Sequence, residues 1–201
     1  MRTIIISTLL VLSVLIAAAQ NNNIDSLNVI RVGGKLPSSL IDFKNKLLDS
    51  NGITEFSLSV HTDKLIIIDF WANWCGPCVY KLPLLDSLQH QYPKELKIVL
   101  VNSVGTGDKN EAILETLRTK TGQFGMPLRS VIEDKLFLKA FPHRTIPHYV
   151  WVSGGTVVGI TSGDFLSREL VEKMIKVNNR LVESRRKLML LRGGRPLKKV
   201  N

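Results

Sequence analysis

The clearest element in the hydrophobic pattern is Leu65–Phe70, Leu-Ile-Ile-Ile-Asp-Phe, a nearly continuous apolar run rich in β-branched residues. Such a run, lacking polar alternation, is the pattern of a strand buried on both faces, as in a parallel or mixed sheet. A loop over residues 71–74 leads to Cys75-Gly76-Pro77-Cys78, after which Val79, Leu82, Leu84, Leu85 and Leu88 recur at helical spacing until Tyr92-Pro93. Pro83 falls inside that helix and is expected to kink it. Residues 97–102 repeat the buried-strand pattern. A glycine-containing loop over 105–110 then introduces a helix over 111–120, with Ile113, Leu114 and Leu117 on one face. Residues 133–141 read as another short helical piece. Two strands, 148–152 and 156–160, flank the turn Ser153-Gly154-Gly155 and predict a β-hairpin. Residues 166–177 form a closing amphipathic helix with Leu170, Met174 and Val177 on one stripe. Residues 29–60 mix short apolar stretches with turn residues and predict one or two short strands or a helix. Strands alternating with helices and ending in a hairpin imply an α/β sandwich around a mixed sheet.

The first nineteen residues follow a different plan. Met1-Arg2-Thr3 precedes an uncharged run over 4–19 that ends in Ala17-Ala18-Ala19 before Gln20. A short positive start, an apolar run and small residues at the junction are the marks of a secretory signal peptide cleaved near Ala19-Gln20. The run is shorter than the roughly 20 residues that cross a bilayer comfortably, so an uncleaved anchor is the weaker alternative. No cysteine stands at the junction to carry a lipid. The mature chain is therefore expected outside the cytoplasm, in a periplasm or cell envelope.

A length of 201 residues and a 44% hydrophobic content fit one packed domain with appendages. The organisation read from the pattern is a signal peptide at 1–19, an N-terminal extension at 20–45, a domain at 46–178 and a basic tail at 179–201. The formal charge of +10 is concentrated in that tail. Residues 180–201 hold eight Lys/Arg against one Glu, leaving residues 20–179 only slightly basic. An anionic membrane surface, a linker to a further segment and a solvated tail all fit this tract. Nucleic acid does not, because the basic residues lack interleaved aromatics.

Two cysteines exclude a disulfide-rich scaffold, and they are three apart where the buried strand hands over to a helix. Free N–H groups and the helix dipole at that junction stabilise thiolate, lowering a thiol pKa from its ordinary value of about 8.5. Cys75, at the first turn, is expected to be the exposed nucleophile. Cys78, one turn along and more buried, is placed to attack a mixed disulfide and resolve it. Pro77 suits the first helical turn, Gly76 keeps the approach open and Trp74 supplies an apolar cover that holds a substrate chain. A structural disulfide is the plainest competing reading, although it closes a loop of only two intervening residues. Half of a zinc site would need His143 and His148, which flank Pro147. The four histidines do not cluster in sequence, and only His148 stands where it could touch the pair.

Phe70-Trp71-Ala72-Asn73-Trp74-Cys75-Gly76-Pro77-Cys78 resembles the active-site segment of the thioredoxin superfamily. With the export signal and Leu82-Pro83, the chain is similar to the TlpA/ResA-like extracytoplasmic thiol–disulfide oxidoreductases over roughly residues 65–175. The resemblance implies a thioredoxin-like sandwich whose mixed β-sheet is flanked by helices. It implies an enzyme that reduces disulfides of protein substrates and is recharged by a membrane or periplasmic electron donor. The Cys75–Cys78 disulfide would be its redox centre, with no further cofactor and no metal. Asp69 matches the buried acid beneath the disulfide, able to take the proton of Cys78. Ile146-Pro147 matches the cis-proline loop, where backbone polar groups face an extended substrate. Lys81 departs from the acidic residue many relatives carry there. A thioredoxin-like binding module with a structural disulfide and a disulfide-forming oxidant are the alternatives in function.

Overall fold

The computed structural model describes residues 27–191. The expected leader at 1–19 and the last ten residues of the basic tail lie outside them. Within them the order is α1 (Ser38–Ile41), β1 (Asn45–Asp49), β2 (Gly52–Phe56), β3 (Leu65–Phe70), α2 (Gly76–Gln91), β4 (Leu96–Ser103) and α3 (Asn110–Lys120). There follow β5 (Ser130–Asp134), α4 (Leu136–Ala140), β6 (His148–Ser153), β7 (Thr156–Ser162) and α5 (Arg168–Leu191). The described strands form one mixed sheet in the order β2-β1-β5-β4-β3-β6-β7.

β3 owes its apolar run to this position. It pairs parallel with β4 on one edge, Ile67 opposite Ile98, and antiparallel with β6 on the other, Ile67 opposite Trp151. Both its faces are covered as well, so all six residues are buried. Leu65 and Ile67 pack in one layer with Leu82, Leu85 and Leu88 of α2, Leu117 of α3, and Val171 and Ile175 of α5. Ile66, Ile68 and Phe70 face the other way, toward Leu40 of α1 and Leu136, Phe137 and Ala140 of α4. The result is the expected three-layered mixed-sheet sandwich.

The structure departs from the sequence reading in three places. Residues 29–60 contain both a short helix and a hairpin, with Asp49 Oδ1 accepting the Asn51 N–H at 2.8 Å and Gly52 at φ +117° opening β2. The helical piece expected over 133–141 is instead the end of β5 followed by α4. Asp134 ends the strand, and its carboxylate accepts the N–H groups of Phe137 at 2.8 Å and Leu138 at 3.0 Å. A strand of five residues next to a helix of five is too short for either periodicity to register.

The closing helix runs to Leu191 rather than stopping at Val177, so the first half of the stretch read as a tail is helical. Asparagine favours caps and turns over helix interiors, and Asn178-Asn179 follows directly on Val177. Asn178 is buried, however, accepting the Ser153 hydroxyl at 2.7 Å and donating to the Asp63 carbonyl at 3.2 Å. These tertiary bonds hold α5 against the ends of β3 and β6. Replacing Asn178 by Ala leaves the buried Ser153 hydroxyl without this partner, at a cost of about 1–3 kcal/mol in urea unfolding. A loss below about 0.5 kcal/mol would show that α5 is held by its apolar contacts alone.

Candidate active site

The C-terminal end of β3 delivers the chain through residues 71–74 into the N-terminus of α2. Cys75 is the N-cap residue, with φ −82° and ψ 91°, and its sulfur accepts the Cys78 N–H at 3.3 Å. Cys75 and Cys78 form a disulfide with Cα atoms 5.2 Å apart. In the dithiol form the same N–H, together with the helix dipole, favours negative charge on Cys75 over Cys78. Cys75 is only 5% exposed and Cys78 is fully buried. The order of access is the one the spacing predicts, but Cys75 is not the open nucleophile expected. Both sulfurs belong to the same core layer as Trp71, Ala72 and Leu82, and that packing closes around them. Gly76 and Pro77 are exposed beside them.

Asp69 lies wholly inside the protein, and neither carboxylate oxygen has a hydrogen-bond partner. Desolvation pushes its pKa up to about 8. Strand alternation puts Asp69 on the face of β3 that carries Leu65 and Ile67, the face covered by α2 and the cysteines. Across the β3–β6 pairing it stands opposite Tyr149, whose buried hydroxyl is likewise unpartnered. Burial first, and the Asp69 carboxylate second, push the Tyr149 pKa upward. A partnerless buried acid costs stability, and its raised pKa makes it a candidate proton acceptor.

The Ile146–Pro147 bond is cis. Pro147 directly precedes β6, whose His148 pairs with Phe70, so the proline sits at the sheet end that carries the cysteines. Gly163 packs so closely that an added Cβ would lie 2.9 Å from the proline ring. The turn containing Gly163 also presents Phe165, which joins Trp74 and Tyr80 as an exposed aromatic. Lys81 neither faces solvent freely nor pairs with a carboxylate, since its ammonium donates to the Leu166 carbonyl at 3.0 Å.

Several residues that the sequence reading passed over hold the cysteine loop. Asp108 Oδ2 accepts the Asn73 N–H at 2.8 Å and the Asn102 amide at 2.7 Å, and Asn102 also reaches the Trp71 carbonyl at 3.3 Å. The Trp74 indole N–H donates to the Thr106 carbonyl at 2.9 Å, and that of Trp71 to Ser130 Oγ at 3.0 Å. The available signal was the polar cluster Asn102…Thr106-Gly107-Asp108 immediately after a buried strand parallel to β3. Parallel pairing places its loop at the same sheet end.

The histidines, scattered in sequence, do meet in part. His143 and His148 stack with ring centroids 4.6 Å apart, and both pack on Phe70, at 4.4 and 5.7 Å. Burial, then the charge of His143, lowers the His148 pKa to about 4. Among the described residues, no three His, Cys, Asp or Glu side chains converge as metal ligands.

A thioredoxin family model matches residues 49–114. A thioredoxin of Haemophilus influenzae is 30% identical over 119 residues, covering 59% of this chain and 85% of its own. The chain spans only 30 to 46% of the length of three other curated thioredoxins that it matches. Among solved structures, the fold is similar to that of a thioredoxin-family thiol:disulfide interchange protein from Chlorobium tepidum. That likeness has a TM-score of 0.56 at 18% identity and covers 68% of this chain and 93% of the other. A secreted Mycobacterium tuberculosis disulfide oxidoreductase gives 0.55 at 14% identity, covering 70% and 99%. Identity at this level over most of one thioredoxin's length, joined to the same fold, shows that the chain belongs to the thioredoxin superfamily.

Proposed function

We propose that the protein is an exported, TlpA/ResA-like protein-disulfide reductase. The observation that carries this reading is the combination of Cys75 at a helix N-cap with a buried, partnerless Asp69 on the same face of the sheet. The Cys75 thiolate attacks one sulfur of a substrate disulfide, forming a mixed disulfide and releasing the first substrate thiolate. Cys78 gives its proton to Asp69 and attacks Cys75 Sγ, forming the Cys75–Cys78 disulfide and releasing the second thiolate. Two electrons pass to the substrate, and a dithiol donor at the membrane or in the envelope returns them. The cis Ile146–Pro147 segment and the exposed Trp74 lie where an extended substrate chain would rest. Export is supported by the residue pattern at 1–19. The reducing direction is supported by the resemblance of the cysteine segment.

The basic end of the chain fits an anionic membrane surface. Along α5, Leu181, Leu188 and Leu191 are exposed at helical spacing, flanked by Arg180, Arg186 and Lys187. No helix among the described residues is long and apolar enough to cross a membrane, so this contact would be peripheral.

Each of these readings has a direct test. In a redox titration of the mature chain starting at Gln20, Trp71 and Trp74 fluorescence should report a reversible two-electron transition near the thioredoxin value of about −270 mV. A midpoint near about −120 mV would make the protein an oxidant, and no reversible transition would leave a binding module. The Cys78→Ser variant should accumulate a mixed disulfide with substrate that Cys75→Ser cannot form.

Asp69 should take the Cys78 proton only when ionised, so mixed-disulfide resolution should accelerate as pH rises through about 8. Asp69→Asn should remove that rise and slow resolution by about 10²-fold. The same raised pKa means the unfolded chain loses this proton first. Stability is then fully present below the ordinary carboxylate value and lost as pH rises toward about 8. Asp69→Asn should therefore gain on the parent by about 1.4 kcal/mol per pH unit in that window. An unchanged rate profile alongside this stability gain would confine Asp69 to a passive buried role.

The protein should sediment with phosphatidylserine-containing vesicles at low salt and leave them at high salt. Replacing Arg186 and Lys187 together by Glu should abolish binding, and salt-insensitive or unchanged sedimentation would refute the surface contact.

A further inference from the structure

The end of the sheet remote from the cysteines is incomplete. β5 joins β4 only from Leu100, opposite Ser130, and joins β1 at Leu48, opposite the same residue. The chain ahead of it, 126–129, does not continue as a strand between β4 and β1. The start of β4 is consequently without a neighbour on that edge. Gln89 of α2 takes the place of one, donating to the Leu96 carbonyl at 3.0 Å and accepting the Ile98 N–H at 2.7 Å. The gap opens into a cavity of about 240 Å³ lined by Leu47, Phe56, Val99 and Leu128, with Lys97 and Arg129 among its polar walls.

The charge in this gap is one-sided. The Lys97 ammonium stands over the Phe56 ring, 5.4 Å from its centroid, and has no carboxylate partner among the described residues. Burial, then Arg129 and Lys64, lower its pKa to about 8, so it is still mainly a cation at neutral pH. His61 stacks on Phe56, and burial with Lys97, Lys64 and Arg129 hold it neutral, at about 4. Arg129 meets Asp49 at 3.6 Å, whereas no acidic group is among those that shift Lys97. A half-buried cation such as Lys97, repelled by neighbouring cations beside an apolar hollow, is relieved by an anion with an apolar body.

We propose that this cavity binds a medium-chain organic carboxylate, its head held by Lys97 and Arg129 and its chain against Leu47, Phe56, Val99 and Leu128. The site is separate from the redox centre. Lys97 pairs with Ile66 near the start of the parallel β3–β4 ladder, and the cysteines follow the ladder's other end, at Phe70 and Val101. Nothing in the assignment depends on the direction of disulfide exchange.

Isothermal titration calorimetry of the full chain with sodium octanoate tests it, with 1-octanol and acetate as controls. Octanoate should bind saturably and at least about 10-fold more tightly than either control, because head and chain are both needed. Lys97→Met, which keeps the stem and removes the charge, should weaken octanoate by about 10-fold or more. Arg129→Gln, at an exposed position that does not threaten folding, should weaken it in the same direction. Absence of saturable octanoate binding, equal binding of 1-octanol, or undiminished affinity in the variants would each overturn the proposal. Should Lys97→Met fail to fold, the octanoate-to-octanol ratio and Arg129→Gln still decide.

Discussion

The junction between β3 and α2 governs the rest of the structure. A strand enclosed by neighbours on both edges and by helices on both faces cannot shift in register without exposing six buried residues. That rigidity fixes where the chain leaves the sheet, and after the loop over 71–74 Cys75 caps the next helix. The first N–H groups of a helix need acceptors, and the Cys75 sulfur is one of them. A thiol in that role gains more as thiolate than as neutral thiol, so the capping position itself favours the charged form.

The same end of the sheet collects the supporting parts. Because β4 is parallel to β3, its following loop arrives beside the cysteine loop and ties to it through Asp108, Asn102 and Thr106. Because β6 is antiparallel, it begins there, bringing Pro147 and His148 to the same rim. Asp69 sits one step inside, where solvent does not reach and no hydrogen bond compensates its charge. Its raised pKa follows from burial alone, with no second charge needed. The arrangement places an acid that prefers its proton near neutral pH on the face of the sheet that holds the thiols.

At the opposite end the sheet is less complete, and its composition changes accordingly. Gln89 closes the backbone hydrogen bonds that a longer β5 would have taken, and Lys97 and Arg129 stand beside the opening. The two ends thus carry different electrostatics: an unpaired buried acid on the face that holds the cysteines, and over Phe56 a lysine, Lys97, with no carboxylate partner among the described residues. The long α5 leads outward from the core layer, anchored at Asn178 and again where Arg185 donates to the Gly154 carbonyl at 3.3 Å.

The sequence alone determined the elements whose pattern is dense. β3 and β4 announce themselves by continuous apolar runs, α2 by its leucine spacing, the final hairpin by its glycine turn, and the cysteine pair by its place between strand and helix. Asp69 and Ile146-Pro147 were identifiable through the resemblance carried by the cysteine segment. Tertiary structure decided what no local pattern encodes. It placed β5 between β1 and β4, carried α5 past Asn178-Asn179 by bonds to Ser153 and Asp63, and closed the core around Cys75. It also stacked His143 on His148 and brought Lys97 and Arg129 to one cavity. Periodicity records which side of its own element a residue faces. Burial depth, an unpaired charge and a missing strand neighbour depend on segments distant in the chain, and appear only once those segments are packed together.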